Sequence, residues 1–339
     1  MVKAKKYVVT KYFAGAPKRG DFDIIEEELP PLQDGQILAK AEFISVDPYL
    51  RAYNSSKTIP YDQFSYQVAE VIESKHPDYP VGSRVVSHEG WRDYIVLNPN
   101  TKPGDGALGL DTVYKLPDMQ GLSASLGVGA VGMPGATAYF GLLEICQPKE
   151  GETLVVSGAA GAVGSLVGQI GKLRGLRVIG FAGSDDKVRW LKQELGFDHA
   201  YNYRTVNVSN ALKEAAPNGV DCYFDNVGGE LSSAVIAHMN PFGRVSVCGS
   251  ISSYNEDPTQ MPKATILQPA LVFKQLKVEG FIVTRWLNRW PEAFKDLIEW
   301  IKSGKMVAQE HVTDGFDNLY DAFVGMLAGE NKGKAVVKV

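Results

Sequence analysis

The residues with the clearest chemical meaning form the run Leu154-Val155-Val156-Ser157-Gly158-Ala159-Ala160-Gly161-Ala162-Val163-Gly164-Ser165. An apolar strand runs into a glycine-rich turn, and the turn opens a helix. That order suits a dinucleotide. A pyrophosphate sits against a helix N-terminus, where backbone N–H groups without intrahelical partners and the positive end of the dipole point at it. Gly161 lets the backbone approach the pyrophosphate, and Gly164 lets the helix lie close on the sheet. Ala159–Gly164 follows the pattern G-x-G-x-x-G with Ala159 in place of the first glycine. The pattern gains weight from its position between a strand and a helix; the plain alternative is a structural βα turn.

The next strand selects the nucleotide. A site for the unphosphorylated ribose usually ends its second strand with an acid, about 20 residues on, that bonds the 2′-hydroxyl. Here the strand closes Val178-Ile179-Gly180-Phe181-Ala182-Gly183-Ser184, with no acid before Asp185. Lys187 follows two positions later, and Tyr203-Arg204 come after the following strand. A missing carboxylate with cations nearby suits a 2′-phosphate, so NADPH is the expected cofactor. The alternative for Lys187 is a solvated helix start.

Metal chemistry finds few ligands. The three cysteines are Cys146, Cys222 and Cys248, so a zinc site built from thiolates of the N-terminal half cannot be assembled, nor can a lobe held by four cysteines. His88-Glu89 is the one local pair resembling a metal-site fragment, and neighbours on a strand point to opposite faces. His88 therefore reads as an ordinary core or surface histidine, and no metal is expected. Without a Lewis acid, the reaction has to be one whose negative charge is delocalised or hydrogen-bonded.

These groups need elements to position them. The first 120 residues are β-rich, with short runs at Tyr7–Thr10, Phe22–Glu28, Gln36–Val46, Gln67–Ser74, Arg84–Glu89 and Trp91–Leu97, separated by Pro and Gly turns. From near Gly121 the pattern becomes an alternation: strands Thr153–Gly158, Arg177–Phe181, Val220–Phe224, Gly243–Cys248 and Lys277–Thr284, with helices Gly164–Arg174, Asp185–Leu195 and Leu231–Met239 between them. That alternation predicts a doubly wound parallel sheet. The helix Pro291–Lys302, a stretch Gly315–Leu327 and a β-like Lys334–Val339 follow, and the last is placed to return to the N-terminal half. The expected division is 1–125 with 305–339 as one domain and 126–304 as the other.

Length and composition limit the class. A chain of 339 residues exceeds one ordinary core. Hydrophobic residues at 45% and charged residues at 22% exclude a disordered chain, and a net charge of -4 argues against a nucleic-acid partner. The charge-free run Gly121–Leu143 holds six glycines and Pro134, which reads as backbone-rich structure and no membrane span. Met1–Thr10 lacks an apolar signal core, and three scattered cysteines fit a reducing compartment, so a cytoplasmic location is expected.

Several runs together carry a family resemblance: Val46-Asp47-Pro48-Tyr49-Leu50-Arg51; Val131–Gly135 with Thr137–Cys146; Ala159–Ser165; Gly183–Lys187; Cys222–Gly229; and Cys248-Gly249-Ser250-Ile251-Ser252. Over nearly its whole length the chain resembles the zinc-independent medium-chain dehydrogenase/reductases. The resemblance implies an α/β protein: a GroES-like N-terminal domain, a Rossmann domain, NADPH in the cleft between them, and a homodimer. It implies hydride transfer to the β-carbon of α,β-unsaturated ketones and aldehydes, such as 15-oxo-prostaglandins and lipid-derived alkenals, with leukotriene B4 12-hydroxyl oxidation in some members. The resulting enolate spreads its charge over oxygen and the α-carbon, which agrees with the missing metal.

Carried over by motif, Gly161–Gly164 would hold the pyrophosphate, and Lys187 and Tyr203 the 2′-phosphoadenosine end. Asn226, Cys248, Gly249, Ser250, Ile251, Ser252, Ser253, Tyr254, Phe281, Ile282 and Val283 would line the nucleotide and nicotinamide, with Asn331 reaching it from the closing segment. Tyr49 and Tyr254 are the candidates for orienting the substrate or its enolate oxygen. Two positions depart from relatives that carry tyrosines: Phe273 and Thr284. Their loss bears on prostaglandin recognition more than on alkenal reduction. A quinone reductase of the same fold and a non-catalytic NADPH-binding protein are the competing readings. The strand Lys277–Val283 is the expected edge for pairing with a second copy.

Overall fold

Turn formers cut the first part of the chain into short strands in the computed structural model, which describes residues 2–101, 113–256 and 267–339. In chain order these are β1 (Lys3–Val9), β2 (Phe22–Glu28), β3 (Ile37–Ser45), a one-turn helix α1 (Tyr49–Ala52), β4 (Tyr61–Asp62), β5 (Gln67–Ser74), β6 (Arg84–Ser87), β7 (Tyr94–Leu97) and β8 (Tyr114–Lys115). The alternating part supplies α2 (Met133–Phe140), β9 (Thr153–Val156), α3 (Ala162–Leu173), β10 (Arg177–Ala182), α4 (Asp185–Gln193), β11 (His199–Asn202) and α5 (Val208–Ala215). It continues with β12 (Val220–Asp225), α6 (Gly229–Ala237), β13 (Met239–Val247), α7 (Gln268–Lys274), β14 (Lys277–Gly280) and α8 (Trp290–Lys302). The chain closes with β15 (Glu310–Asp314), α9 (Leu319–Ala328) and β16 (Lys334–Lys338).

Contacts divide the chain into two units, 1–132 with 310–339, and 133–309. The sequence pattern alone sets these breaks at 125/126 and 304/305. Residues Ala124–Val128 form a 3-10 turn against β3 and β5, within the first unit.

In the first unit, β1 lies between β2 and β4 in a three-stranded sheet, and a larger sheet runs β15-β16-β3-β5-β6-β8 with β7 also on β3. The terminal strand does return: β16 pairs antiparallel with β3, placing Val336 opposite Ser45 and Val337 opposite Ile44. The core gathers Ile44, Leu50, Trp91, Leu319, Phe323 and Val337, so residues some 290 positions apart share one apolar cluster. Each large side chain in it contributes about 1.5–3 kcal/mol by leaving water. The edge strand β15 has no counterpart in the sequence pattern. Its residues Glu310-His311-Val312-Thr313-Asp314 lack apolar alternation, and its backbone alone recruits it to β16.

In the second unit six parallel strands run β11-β10-β9-β12-β13-β14. Numbered along the chain this is 3-2-1-4-5-6, the doubly wound order of the Rossmann fold, whose switch point lies between its first and fourth strands. The central β9 is buried along its whole length, as expected of a strand covered on both faces. Val155, Ile179, Phe181, Leu212, Val220, Tyr223, Val235 and Val245 form the core on one side. Helices α2, α3 and α8 pack together, with Tyr139 Oη donating to Asp296 at 2.8 Å. The expected strand Lys277–Thr284 stops at Gly280, because its neighbour β13 ends at Val247 and offers no further pairing. The chain then turns into a 3-10 stretch, Val283–Arg289. Among the described residues no helix is long and apolar enough to cross a membrane.

Candidate nucleotide and substrate site

The glycine turn leaves β9 at its carboxyl end. Gly158 has φ +59°, in the left-handed region that glycine adopts without strain. The tight turn is thus made one residue before Ala159, which is why an alanine is tolerated at the first motif position. A Cβ on Gly164 would lie 2.4 Å from the Gly158 carbonyl oxygen and 2.8 Å from Ala159 Cα, so this glycine sets how near α3 comes to the turn. Gly161 caps α3 in extended geometry with no side-chain cap, and the first intrahelical bond runs from Ser165 N–H to Gly161 O at 3.0 Å. The N–H groups of Ala162, Val163 and Gly164 precede that bond and point out of the helix end. A bare backbone before an uncapped helix N-terminus fits a pyrophosphate.

A buried carboxylate ties this turn to the next strand. Asp225, at the end of β12, accepts from Tyr223 Oη at 2.8 Å, Ser157 Oγ at 3.1 Å, and the Val227 and Gly228 N–H groups at 3.0 and 2.9 Å. Asn226 donates its N–H to Ser157 Oγ at 3.0 Å and its side-chain amide to the Ser157 carbonyl at 2.7 Å. The switch point is therefore stitched by side chains as well as by strand pairing. Sequence reasoning misses Asp225 and Ser157. The available signal is an acid closing an apolar strand just before Asn-Val-Gly-Gly.

The segment after β13 follows the same end of the sheet. Cys248 and Gly249 donate to the Asp225 carbonyl, Ile251 to Asn226 and Ser252 to Val227, at 2.8–3.2 Å. Ser250 N–H donates to Tyr254 Oη at 3.2 Å, and Ser253 Oγ to the Ser250 carbonyl at 2.9 Å. Gly158, Asn226 and Cys248–Tyr254 are thereby brought to neighbouring strand ends. Burial, with the Asp225 charge adding, pushes the Cys248 thiol up to about 12, so it stays protonated and is no nucleophile at neutral pH. Phe281 N–H bonds the Val247 carbonyl at 3.4 Å, and its ring packs on Phe224 and Trp286 at centroid distances of 6.3 and 5.6 Å. Ile282 is exposed and Val283 buried.

At the outer strands, Ser184 caps α4 by accepting the Lys187 N–H. Tyr203 N–H bonds the Ala182 carbonyl at 3.1 Å. A Cβ on Gly183 would meet Tyr203 Oη at 3.4 Å and Arg204 Cζ at 3.6 Å. Asp185 is engaged elsewhere, accepting from Asn202 Nδ2 at 2.8 Å. A strand end free of carboxylate thus faces a phenol and a guanidinium, with the half-buried Lys187 one turn into α4. Arg204 stands closer to Gly183 than its place in the sequence suggests.

Tyr49 and Asn331 belong to the first unit, apart in the chain division from the other candidates. Asn331 is buried and donates its amide to the Gly333 carbonyl at 2.7 Å. Tyr49 Oη lies 3.1 Å from Nε2 of His88. His88, ordinary by sequence, is a core residue bonded to the phenol that the sequence singles out. Burial, with a smaller push from Lys57, lowers its pKa to about 3. Burial and the nearby Asp47 charge hold Tyr49 well above the usual phenol range, so it keeps its proton. Nearby, Lys334 Nζ pairs with Asp47 at 3.1 Å in the interior. Of the two departures, Phe273 is 84% exposed on α7 and Thr284 half-buried. Among the described residues no three His, Cys, Asp or Glu side chains gather as a metal ligand set.

Known proteins resemble this chain over its length. The family described as zinc-binding dehydrogenase matches residues 162–303, and the N-terminal domain of oxidoreductase matches residues 5–102. Prostaglandin reductase 1 of Bos taurus is 48% identical over 100% of both chains. The NADP(+)-dependent 2-alkenal reductase of Nicotiana tabacum is 37% identical over 100% of this chain and 98% of its own. The crystal structure of CurA from Vibrio vulnificus in complex with NADPH superposes with a TM-score of 0.89 at 36% identity, covering 99% of each chain. With full-length relatives at this identity, the chain belongs to the zinc-binding dehydrogenase family of the medium-chain dehydrogenase/reductases.

Proposed function

We propose that this protein is an NADPH-dependent oxidoreductase that reduces the carbon–carbon double bond of α,β-unsaturated ketones and aldehydes. The observation that carries the reading is the second unit's strand-end geometry. A bare glycine turn, Asn226 and Cys248–Tyr254 share the switch point, while Lys187, Tyr203 and Arg204 flank a strand end without an acid. Relatives named for prostaglandin and 2-alkenal reduction, and a neighbour holding NADPH, support it. NADPH, when bound, supplies the hydride for the β-carbon. The N–H groups of Ala162–Gly164 hold the pyrophosphate, and Lys187 and Tyr203 hold the 2′-phosphate end. Asn226, Cys248–Tyr254, Phe281–Val283 and Asn331 complete the nucleotide contacts. The phenols of Tyr49 and Tyr254 orient the substrate and donate to its oxygen as negative charge develops there.

The substrate class extends from lipid-derived alkenals to 15-oxo-prostaglandins, with oxidation of the leukotriene B4 12-hydroxyl, which gives its hydride to NADP+ and its proton to solvent, as an additional activity. Phe273 and Thr284 in place of tyrosines favour the alkenal end. Product analysis tests the reading: NADPH and 4-hydroxynonenal should give the saturated aldehyde, and an allylic alcohol as sole product would reject it. Faster turnover of quinones than of enones would favour the quinone reductase instead.

The reading includes a homodimer and a cytoplasmic location. Supporting the first, β14 ends its sheet, and Val272, Phe273, Val278 and Ile282 on or beside that edge are 70%, 84%, 38% and 46% exposed. Sedimentation of a stable monomer at micromolar concentration would refute it. Supporting the second, all three cysteines are free thiols.

A further inference from the structure

His88 follows β6 and is 8% exposed. Aromatic rings enclose it: Tyr66 edge-on at 4.6 Å, Phe64 at 5.8 Å and Tyr49 nearly parallel at 6.1 Å. Tyr49 is itself held between rings, stacked on Phe64 at 6.0 Å and edge-on to Tyr53 at 6.1 Å. The one polar contact between these two rings is the 3.1 Å approach of Tyr49 Oη to His88 Nε2. Around the pair, Tyr66 acts on both rings, Lys57 on His88, and Asp47, ion-paired with Lys334, and Tyr53 on Tyr49, while Ser65, whose hydroxyl donates to the Ser45 carbonyl at 2.6 Å, is a further side-chain hydrogen-bond partner of Tyr49. Lys57 holds its ammonium 4.9 Å from the Phe64 ring centroid.

Two arrangements of the shared hydrogen are open to a neutral imidazole. If Tyr49 donates to Nε2, its hydrogen is used up inside the protein. If Nε2–H donates to Tyr49 Oη, the phenol hydrogen is left to donate elsewhere. A phenol that stabilises negative charge on a substrate oxygen needs the second. We infer that His88 is a positioning residue: its neutral ring donates Nε2–H to the Tyr49 oxygen and so directs the Tyr49 O–H to the oxygen of the reacting enone. This inference rests on the proposal that Tyr49 faces the substrate. It assigns no proton transfer to His88, only the orientation of a donor. The burial that keeps the imidazole uncharged keeps that orientation constant across the neutral pH range.

The test uses the full chain with NADPH and 4-hydroxynonenal. His88→Phe should lower kcat about tenfold with the KM for NADPH unchanged, since it removes one orienting hydrogen bond and leaves the nucleotide residues intact. His88→Gln, whose amide N–H can replace Nε2–H, should recover most of that loss and guards against a folding defect in the Phe variant. Tyr49→Phe should be at least as slow as His88→Phe, and the double variant no slower than Tyr49→Phe, because both changes remove the same donor. Fully multiplicative losses in the double variant would overturn the inference while leaving Tyr49 in its role. A normal kcat for Tyr49→Phe would remove the role of Tyr49 and the inference together. Independently of turnover, nitrogen-15 spectra of the unliganded protein should show the His88 proton on Nε2; a proton on Nδ1 overturns the assignment. An inflection of kcat near pH 6.5 that His88→Gln abolishes would also overturn it, because the ring would then be ionising.

Discussion

Acid should destabilise this protein through His88 by an amount that follows from its burial. In the unfolded chain the imidazole titrates near 6.5, whereas in the folded protein burial, with Lys57 adding, holds it at about 3. The folded-state pKa is lower, so between these values the unfolded chain binds a proton that the native state refuses. The stabilisation is present above pH 6.5 and is lost as pH falls toward 3. At pH 5.0 the unfolded histidine lies 1.5 pH units below its pKa, and one unit corresponds to about 1.4 kcal/mol, so the loss from pH 7.5 to 5.0 is about 2 kcal/mol. At pH 5.0 the native ring is still neutral, so the whole term comes from the unfolded chain. His88→Gln removes the titrating group and keeps polar bulk at the site. Urea denaturation of both proteins at pH 7.5 and 5.0 isolates the term, since every other titrating group contributes equally to each. The native sequence should lose about 2 kcal/mol more than the variant, a difference of about 1 M in midpoint at a slope near 2 kcal/mol per M. Equal losses in the two proteins would show that the folded imidazole titrates normally and would refute the reasoning.

Other perturbations have equally definite outcomes. Lys187→Ala should raise the KM for NADPH about ten- to hundredfold and that for NADH little, since a charge-assisted phosphate contact is worth about 1.5–3 kcal/mol; steady-state kinetics with both cofactors checks this, and equal changes count against Lys187 as the phosphate reader. Gly164→Ala puts a Cβ 2.4 Å from a backbone oxygen that cannot rotate away, so α3 and the turn must separate. The expected result is about 1–3 kcal/mol of lost stability and a raised KM for both nucleotides, and an unchanged melting temperature with normal KM contradicts it. Lys334→Met strands the buried Asp47 carboxylate and removes 2.7 Å bonds to the Val46 and Ala335 carbonyls. It should cost about 3–5 kcal/mol in chemical denaturation, and the double variant with Asp47→Asn should recover part of that.

Local order is legible before any coordinates. The strand, glycine turn and helix at Leu154–Ser165 depend on neighbours in the chain: apolar residues that pair, glycines that bend, and a helix start without a side-chain cap. The alternation of strands and helices from Thr153 onward dictates a parallel sheet, because parallel strands need crossover connections. The scarcity of cysteine and the lack of an acid between Phe181 and Asp185 are likewise facts of composition and order. Strand ends are less legible. Lys277–Thr284 reads as one β run by residue type, yet the strand stops where β13 stops, and a strand's length is set by its partner.

What the tertiary structure alone decided is contact between residues distant in sequence. Nothing near Glu310 marks β15 as a strand, since its pairing with β16 is made by backbone groups that every residue carries. Asp225 closes an apolar strand, but its partner Ser157 lies 68 residues earlier, and only the fold brings the two together. Lys334 reads as one more surface lysine until the return of β16 to β3 sets it beside Asp47. His88 and Tyr49 are separated by 39 residues and joined by one hydrogen bond. Periodicity and turn chemistry act over a few residues, so the sequence by itself determined the elements and the nucleotide turn. The polar contacts inside the core had to await chain return, because only close packing decides which two side chains share a site from which water is excluded.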